Sequence, residues 1–145
     1  MADVYVGPSP IHGEGVFAAR DFKKSDRILE IDDSRVVTDD DPLRDEELPH
    51  RCDDLAGGRV AYLRPPHFTN HSCDPSSYAK TIDGTRYRIA LRDISAGEEV
   101  TSDYCINSGG DTVWECNCGN PRCRRTIHSD FFRLPRALQM EYLPL

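Results

Sequence analysis

The sequence predicts a mainly β protein that forms a single domain and carries a short C-terminal helix. Its length of 145 residues suits one domain with one main core. Ten glycines and ten prolines favour many turns between short elements. A clear helix pattern is confined to residues 135–142, with Pro135 at the first helical position.

The predicted strands follow the chain from its start. Residues 4–6 predict a first strand, which prolines then end. The glycines within residues 13–15 mark a tight turn before an apolar pair, and residues 28–31 predict a short buried strand. Residues 78–91 predict a hairpin, because its central Asp-Gly pair is a strong turn signal with alternating residues on both sides.

The segment from residue 32 to residue 54 is strongly acidic. It holds ten acidic residues against three arginines, a charge of -7 that equals the formal net charge of the whole chain. Residues 39–54 predict an irregular insert with room for one short helix. An acidic patch repels phosphate backbones and attracts basic peptides, so we expect a basic partner and no direct nucleic-acid binding. A solvated loop that only aids solubility is the alternative interpretation.

Membrane and secretion signals are not evident in the sequence. No apolar run approaches the roughly 18 residues of a membrane span. The first residues lack a basic region followed by an apolar stretch, which a secretory signal would need. We therefore expect an intracellular protein without a membrane partner.

Three of the six cysteines lie within eight residues near the C-terminus. Cys116, Cys118 and Cys123 have the spacing C-x-C-x4-C, which indicates a metal site rather than disulfides in an intracellular chain. A structural zinc ion needs four ligands. The candidates for the fourth are Cys73, Cys105, Cys52 and His128. Reduced thiols in a tail rich in glycine and proline are the alternative interpretation.

Four patterns, of which the cysteine tail is the last, occur together in one order along the chain. They are Ile-His-Gly-Glu-Gly-Val-Phe-Ala (residues 11–18), Phe-Thr-Asn-His-Ser-Cys-Asp-Pro (68–75), the run from Ala90 to Tyr104 that contains Gly-Glu-Glu-Val-Thr-Ser-Asp-Tyr, and the cysteine tail that ends at Arg124. Together they resemble the SET-domain protein lysine methyltransferases with a post-SET zinc segment, in the form of the small stand-alone microbial members. The resemblance covers about residues 4–127, and Asn-His-Ser-Cys-Asp-Pro is its most specific string.

The resemblance implies a SET-domain fold of several small sheets with a pseudoknot, in which the Asn-His-Ser-Cys segment passes beneath a loop near Tyr104. It implies a SET domain at 1–107, with an acidic variable insert at about 39–67, and a post-SET zinc segment and tail at 108–145. In the family, the Cys of Asn-His-Ser-Cys joins the three post-SET cysteines. The implied zinc ligands are therefore Cys73, Cys116, Cys118 and Cys123.

The resemblance also implies a methyl donor, S-adenosyl-L-methionine, and the residues that hold it. The residues that match the family's cofactor-binding motifs are His12, Gly13, Glu14, Gly15, Asn70, His71 and Tyr104. Tyr104 also matches the catalytic tyrosine, whose hydroxyl lies beside the transferring methyl group. Asp103 is expected to support the loop, and Cys105 to pack in the core. Taken alone, each motif also fits a purely structural role, which is a plain turn, a hydrogen-bonded pair of side chains in the core, or packing.

Four positions depart from the family pattern. His67 stands where an Arg is common, three residues before Asn70. Ser76 stands where an Asn is frequent, which we expect to loosen a supporting hydrogen bond. Ser102 stands where many members have an aromatic residue, and its small size predicts room for di- or trimethylation. Ile31 stands where an aromatic residue often lines the lysine channel. The missing wall can be supplied by Tyr62, Tyr78 or Trp114.

The predicted function is the transfer of methyl groups to a lysine ε-amine of a basic protein, for which a histone or histone-like tail is the expected substrate. The expected location is the cytoplasm of a bacterium, or a nucleus if the substrate is eukaryotic chromatin. Two other classes stay open: a SET-like module that binds cofactor or peptide without turnover, and a small zinc protein that uses the cysteine tail alone. Cofactor binding would exclude the zinc protein, and turnover would exclude the binding module.

Overall fold

The computed structural model describes residues 3–47, 52–55, 59–62, 69–106 and 109–145. Strands dominate these ranges, and α-helix is found at their C-terminal end. The prediction of a mainly β protein with a short C-terminal helix is confirmed. Residues 48–51, 56–58 and 63–68 of the predicted acidic insert lie outside the described residues.

The elements are numbered along the chain. The strands are β1 (Val4–Pro8), β2 (Glu14–Ala18), β3 (Arg27–Glu30), β4 (Val36–Val37), β5 (Cys52–Asp54), β6 (Val60–Tyr62), β7 (Asn70–His71), β8 (Ser77–Ile82), β9 (Thr85–Ala90), β10 (Glu99–Ser102), β11 (Gly109–Glu115) and β12 (Thr126–Asp130). A 3₁₀ turn (Phe131–Arg133) and the helix α1 (Arg136–Tyr142) follow. The helix begins one residue after the predicted start, because Pro135 is extended at its N-cap.

The largest sheet has seven strands in the order β1-β2-β10-β8-β9-β3, and β7 pairs with β10. Its strands are antiparallel except that β10 runs parallel to β7 and β8. The parallel pairing places residues 70–77 alongside residues 101–102, so the segment containing Asn-His-Ser-Cys lies directly beside the strand that leads to Tyr104. The apolar core under this sheet consists of Val16, Ala18, Phe22, Ile28, Ala90, Ile94 and Val100.

The predicted hairpin is confirmed as β8 and β9. Asp83 and Gly84 have φ values of 50° and 83°. Positive φ at both central residues is the conformation that a tight two-residue hairpin needs and that an Asp-Gly pair tolerates. The turn therefore fixes the register in which Lys80 faces Tyr87.

The acidic insert is more ordered than the charge count suggested. Part of it forms a second sheet, of order β4-β6-β5, which the sequence did not predict. Arg35 is 3% exposed, and its guanidinium donates to the carboxylate of Glu47 and to the carbonyl oxygens of Val36, Asp41 and Pro42. A single buried cation thus satisfies carbonyl groups of β4 and of the segment that follows it.

The C-terminal part of the chain packs around a second core. Its buried members are Cys73, Cys105, Ile127, Leu134, Leu138 and Tyr142. Because Cys73 and Cys105 come from the Asn-His-Ser-Cys and Tyr104 segments, the tail and the body of the protein share one core. In the part of the chain that the structure describes, no helix is long and apolar enough to cross a bilayer.

Candidate active site

The side chain of Asn70, in β7 of the largest sheet, is hydrogen-bonded to the turn at residues 12–15. Its side-chain amide nitrogen donates to the carbonyl oxygens of His12 (3.1 Å) and Glu14 (3.0 Å). The same nitrogen lies 2.9 Å from Oε1 of Glu99. At 8% exposure the amide is buried beneath the turn, so it holds the turn from below.

The two glycines of the turn are needed for different reasons. Gly13 has a φ of 47°, which favours glycine, and among the described residues no atom lies within 4 Å of a Cβ built on it. A Cβ on Gly15, in contrast, would overlap the carboxylate of Glu99. Gly13 thus faces open space, whereas Gly15 allows the half-buried carboxylate of Glu99 to approach the main chain.

Glu99 is a site residue that the sequence analysis missed. Its carboxylate accepts hydrogen bonds from the hydroxyl of Ser9, at 2.9 and 3.0 Å, and from the amide of Asn70. Its backbone pairs with Phe17 of β2. The Gly-Glu-Glu string was a signal for this role, but only the fold shows which of the two glutamates reaches the turn.

Tyr104 follows β10, lies partly exposed, and bonds to the two residues on either side of Asn70. Its hydroxyl donates to the carbonyl oxygen of Thr69 (2.6 Å), and its backbone N–H donates to Nδ1 of His71 (3.0 Å). The side chain is 41% exposed. The residue is fixed through its hydroxyl and its backbone, and its ring still reaches solvent, so the phenol is placed to contact a ligand.

His71 is neutral at physiological pH. Burial lowers the pKa of its imidazole to about 4, against an opposing effect from the charge of Asp103. Because Nδ1 accepts from the Tyr104 N–H, the ring proton belongs on Nε2, which lies 3.5 Å from the sulfur of Cys73. The ring therefore connects the Tyr104 backbone with the cysteine cluster.

An aromatic wall forms around Tyr104. The ring centroids of Tyr104 and Trp114 are 6.0 Å apart, and His71 packs edge-on against both rings. Trp114 comes from β11, beyond the segment that carries Tyr104. Trp114, one of the three aromatic residues suggested to replace the wall missing at Ile31, thus contacts the Tyr104 region.

The structure groups four cysteine sulfurs. Those of Cys73, Cys116, Cys118 and Cys123 all lie within 4.8 Å of one another. The sulfurs of Cys73 and Cys116 are 3.8 Å apart, which matches the edge of a tetrahedron with zinc–sulfur bonds of about 2.3 Å. Four thiols in this arrangement fit a metal ion that prefers tetrahedral sulfur ligands.

Backbone amides surround these sulfurs. The N–H groups of Arg124 and Arg125 point at the sulfurs of Cys73 and Cys123, at 3.3 and 3.4 Å. Burial raises the pKa of Cys118, but N–H groups of Cys73 and Asn120 outweigh it and lower that pKa to about 7. Such donors stabilise thiolates, the form in which cysteine binds metal.

The other candidates for a fourth ligand lie outside this group. Cys105 is fully buried, and its thiol donates to the carbonyl oxygen of His128 (3.0 Å). Burial raises its pKa to about 12, which keeps it a thiol. Its expected packing role agrees with this position. Cys52 lies in β5, in the separate three-stranded sheet.

Ser76 makes the hydrogen bonds that its departure from the family pattern put in question. It is fully buried, its hydroxyl accepts from the N–H of Thr101 (3.0 Å), and its own N–H donates to Oγ1 of Thr101 (3.2 Å). The hydroxyl therefore takes part in the bonding between this segment and β10.

The geometry brings most of the predicted site residues together. Asn70 contacts the backbone of His12 and Glu14, while His71 contacts Tyr104 and Cys73. The side chains of His12 and Glu14 themselves are exposed, so the turn contributes its backbone. The cofactor-binding and catalytic roles of these residues stay predictions.

A comparison with protein families gives the class of the molecule. The family model described as SET domain matches residues 13–105. This range contains Gly13 to Gly15 of the turn, Asn70, His71 and Tyr104, and it ends before the three C-terminal cysteines. The chain belongs to the SET domain family.

Several curated proteins are similar in sequence. Histone-lysine N-methyltransferase trithorax of Drosophila virilis is 30% identical over 139 residues, which cover 86% of this chain and 4% of that protein. The H3 lysine-4 specific histone-lysine N-methyltransferase of Schizosaccharomyces pombe is 33% identical over 135 residues, covering 83% of this chain and 15% of that protein. Human histone-lysine N-methyltransferase 2B is 31% identical over 134 residues, which cover 83% of this chain and 5% of that protein. The chain thus spans only a small part of the length of these relatives.

Proposed function

We propose that the protein is a protein-lysine N-methyltransferase that uses S-adenosyl-L-methionine. The observation that carries the proposal is the position of Tyr104. Its phenol reaches solvent and is fixed through its hydroxyl and its backbone to Thr69 and His71, the two neighbours of the Asn70 that braces the glycine turn. Membership of the SET domain family and the similarity to histone-lysine methyltransferases support this reading.

The turn at residues 12–15 fits the amino-acid part of the methyl donor. Its carbonyl oxygens are bonded to the buried amide of Asn70 from below, while its outer side at Gly13 is open. A backbone that is rigid beneath and open above lets a ligand approach the main chain closely. When bound, S-adenosyl-L-methionine supplies a methyl carbon that a sulfonium leaving group activates.

The protein's own contribution is placement and desolvation of the lysine amine. The amine must attack in its neutral form, and its deprotonation at pH 7.4 costs about 4 kcal/mol from a reference pKa near 10.4. A channel walled by Tyr104 and Trp114 would lower the amine pKa by removing water. The Tyr104 hydroxyl would orient the amine for in-line attack, and such positioning contributes strongly to rate.

We propose zinc as the metal of the four-cysteine cluster. The donor set of four thiols at tetrahedral spacing supports this choice. Zinc there would hold the post-SET segment, residues 108–145, against the Asn-His-Ser-Cys segment. The ion would have a structural role, because four protein ligands leave no open position for substrate.

The proposed substrate is a basic protein, with a histone or histone-like tail as the first candidate. Part of the acidic segment is already neutralised, since Arg35 pairs with Glu47, and Arg86 pairs with Asp33 and Asp53. Arg35 also pairs with Asp41, at 3.0 Å. Exposed acidic side chains of this segment that can attract a basic tail are Asp39, Asp40, Asp45 and Glu46. We further propose action in a nucleus if that tail is eukaryotic chromatin, and in the cytoplasm of a bacterium otherwise.

The experiment is methyl transfer from isotope-labelled S-adenosyl-L-methionine to histones, bacterial histone-like proteins and a cell lysate, with lysine assignment by mass spectrometry. Label on a lysine supports the proposal. Calorimetry with the methyl donor is run in parallel. Binding of the donor without transfer to any protein would instead indicate a binding module, and no binding would overturn the proposal altogether.

A further inference from the structure

Asp103 is a buried carboxylate whose hydrogen-bonding capacity is filled by other parts of the chain. Its side chain has 0% exposure. Arg124 donates to both of its oxygens, at 2.9 and 3.0 Å, and the Cys105 N–H donates to Oδ1 at 3.0 Å. The fourth donor is the hydroxyl of Tyr142, 2.9 Å from Oδ2. Four donors match the lone-pair capacity of a carboxylate.

This carboxylate sets the backbone around Tyr104. The Cys105 N–H bonds to its oxygen, and the Ile106 N–H donates to the Asp103 carbonyl oxygen at 3.1 Å, which closes a turn over residues 103–106. Tyr104 lies inside this turn. Rotation of the Asp103 side chain would therefore break the Cys105 N–H bond that helps hold the turn on which the Tyr104 phenol is mounted.

Tyr142 comes from a part of the chain that the SET domain match does not reach. The match ends at residue 105, and Tyr142 is the last residue of α1. The ring is 6% exposed and packs in the second core with Leu134 and Leu138. This packing presents the hydroxyl to Asp103, and burial, followed by the Asp103 charge, raises the pKa of Tyr142, so the hydroxyl stays a donor.

We infer that Tyr142 is a positioning residue for the proposed methyl transfer: the C-terminal helix uses its hydroxyl to fix Asp103 and, through Asp103, the Tyr104 phenol. The inference rests on the proposed function. The inference adds a residue of α1, which lies beyond the SET domain match, to those that position Tyr104. Removing the hydroxyl leaves one carboxylate lone pair without a donor in the core, and the side chain is then held by Arg124 and the Cys105 N–H alone.

The test is Tyr142→Phe in the zinc-loaded full chain, which keeps the ring and removes the hydroxyl. On a histone peptide that the wild type methylates, kcat falls about tenfold, as expected for the loss of one hydrogen bond to a charged group. The KM values for the peptide and the methyl donor stay within about twofold. Tyr87→Phe is the matched control, because Tyr87 lies in β9 and stacks under Arg27, away from Asp103. Unchanged kcat in Tyr142→Phe, or an equal fall in Tyr87→Phe, overturns the inference.

A double-mutant cycle separates positioning from general stability. If Tyr142 acts through Asp103, adding Tyr142→Phe to Asp103→Asn changes kcat by less than about twofold, because the shared contact is already altered. Independent, multiplicative effects on kcat overturn the inference.

Hydrogen exchange gives a readout that needs no turnover. In Tyr142→Phe, the amides of Tyr104 and Cys105 lose protection by about tenfold, while those of β1 and β2 keep theirs. This measurement decides the inference if Asp103→Asn does not fold or if the wild type transfers no methyl group. Equal protection of the two amides in wild type and variant overturns it, and failure of the proposed function is seen separately as a wild type without activity.

Discussion

Arg124 holds Asp103 in a two-pronged ion pair, with Nη1–Oδ2 at 2.9 Å and Nη2–Oδ1 at 3.0 Å. The same residue sends its backbone N–H to the sulfur of Cys73 at 3.3 Å. Although burial opposes it, bonding to Asp103 raises the pKa of the Arg124 guanidinium, so Arg124 stays charged. One residue thus connects the cysteine cluster with the loop that carries Tyr104.

Replacing Arg124 by alanine should therefore reduce stability and activity together. Loss of one partner leaves the Asp103 charge buried, which costs about 3 kcal/mol or more in the free energy of unfolding. Arg122→Ala is the matched control. Its side chain is 55% exposed, and its pairs with Asp74 and Glu141 are at 3.5 and 3.6 Å, so the expected loss is below about 1 kcal/mol. Denaturant unfolding of both variants measures the difference, and equal losses would contradict the role given to Arg124.

Removal of metal should unfold the C-terminal part of the chain. We expect one zinc ion per chain by elemental analysis, and a chelator should lower the unfolding temperature because metal binding contributes directly to folding. Cys118→Ser should reduce the zinc content. Cys52→Ser, which lies in β5 outside the cluster, should leave it unchanged. Full zinc content in Cys118→Ser would argue against the proposed ligand set.

The stability of the protein should fall in acid because of Glu47. A hydrogen bond from Arg35, helped by the Arg44 N–H, lowers the pKa of this carboxyl from 4.5 to about 2. The unfolded chain takes up the proton first as the pH falls, so this contribution is present above pH 4.5 and disappears as the pH falls toward 2. Glu47→Gln should flatten the profile of unfolding free energy in that window. The exposed Glu46→Gln is the control, and a profile for Glu47→Gln as steep as the wild type's would refute the assignment.

The size of Ser102 predicts the methylation state of the product. Ser102 is the last residue of β10, two positions before Tyr104, and its buried side chain is small. With excess methyl donor and long incubation, we expect di- or trimethyl-lysine by mass spectrometry. A product that stops at monomethyl-lysine under these conditions would show that something other than residue 102 limits the space.

Local sequence patterns predicted the parts of the fold that local chemistry determines. Asp83-Gly84 indicated a hairpin because this pair adopts positive φ easily, and the structure has that turn. Pro135 indicated the start of a helix, and α1 begins at the next residue. The C-x-C-x4-C spacing indicated a metal site, and its three sulfurs do lie together with that of Cys73.

Contacts between distant side chains were not predictable in the same way. Glu99 bonds to Ser9 across 90 positions, and Tyr142 bonds to Asp103 across 39. Neither pair has a spacing pattern, because the fold alone brings the partners together. The charge count of the acidic segment likewise did not reveal that Arg35 is buried and organises the segment that follows β4.

The most direct test of the proposed function compares initial rates of methyl transfer for the wild type and Tyr104→Phe, with the affinity for S-adenosyl-L-methionine measured on the same samples. The variant removes only the hydroxyl that bonds to Thr69, so the fold should remain. We predict a rate lower by on the order of 100-fold, with the donor affinity within a few-fold of the wild type's. A Tyr104→Phe protein that methylates lysine as fast as the wild type would contradict the assignment of Tyr104 as the catalytic residue.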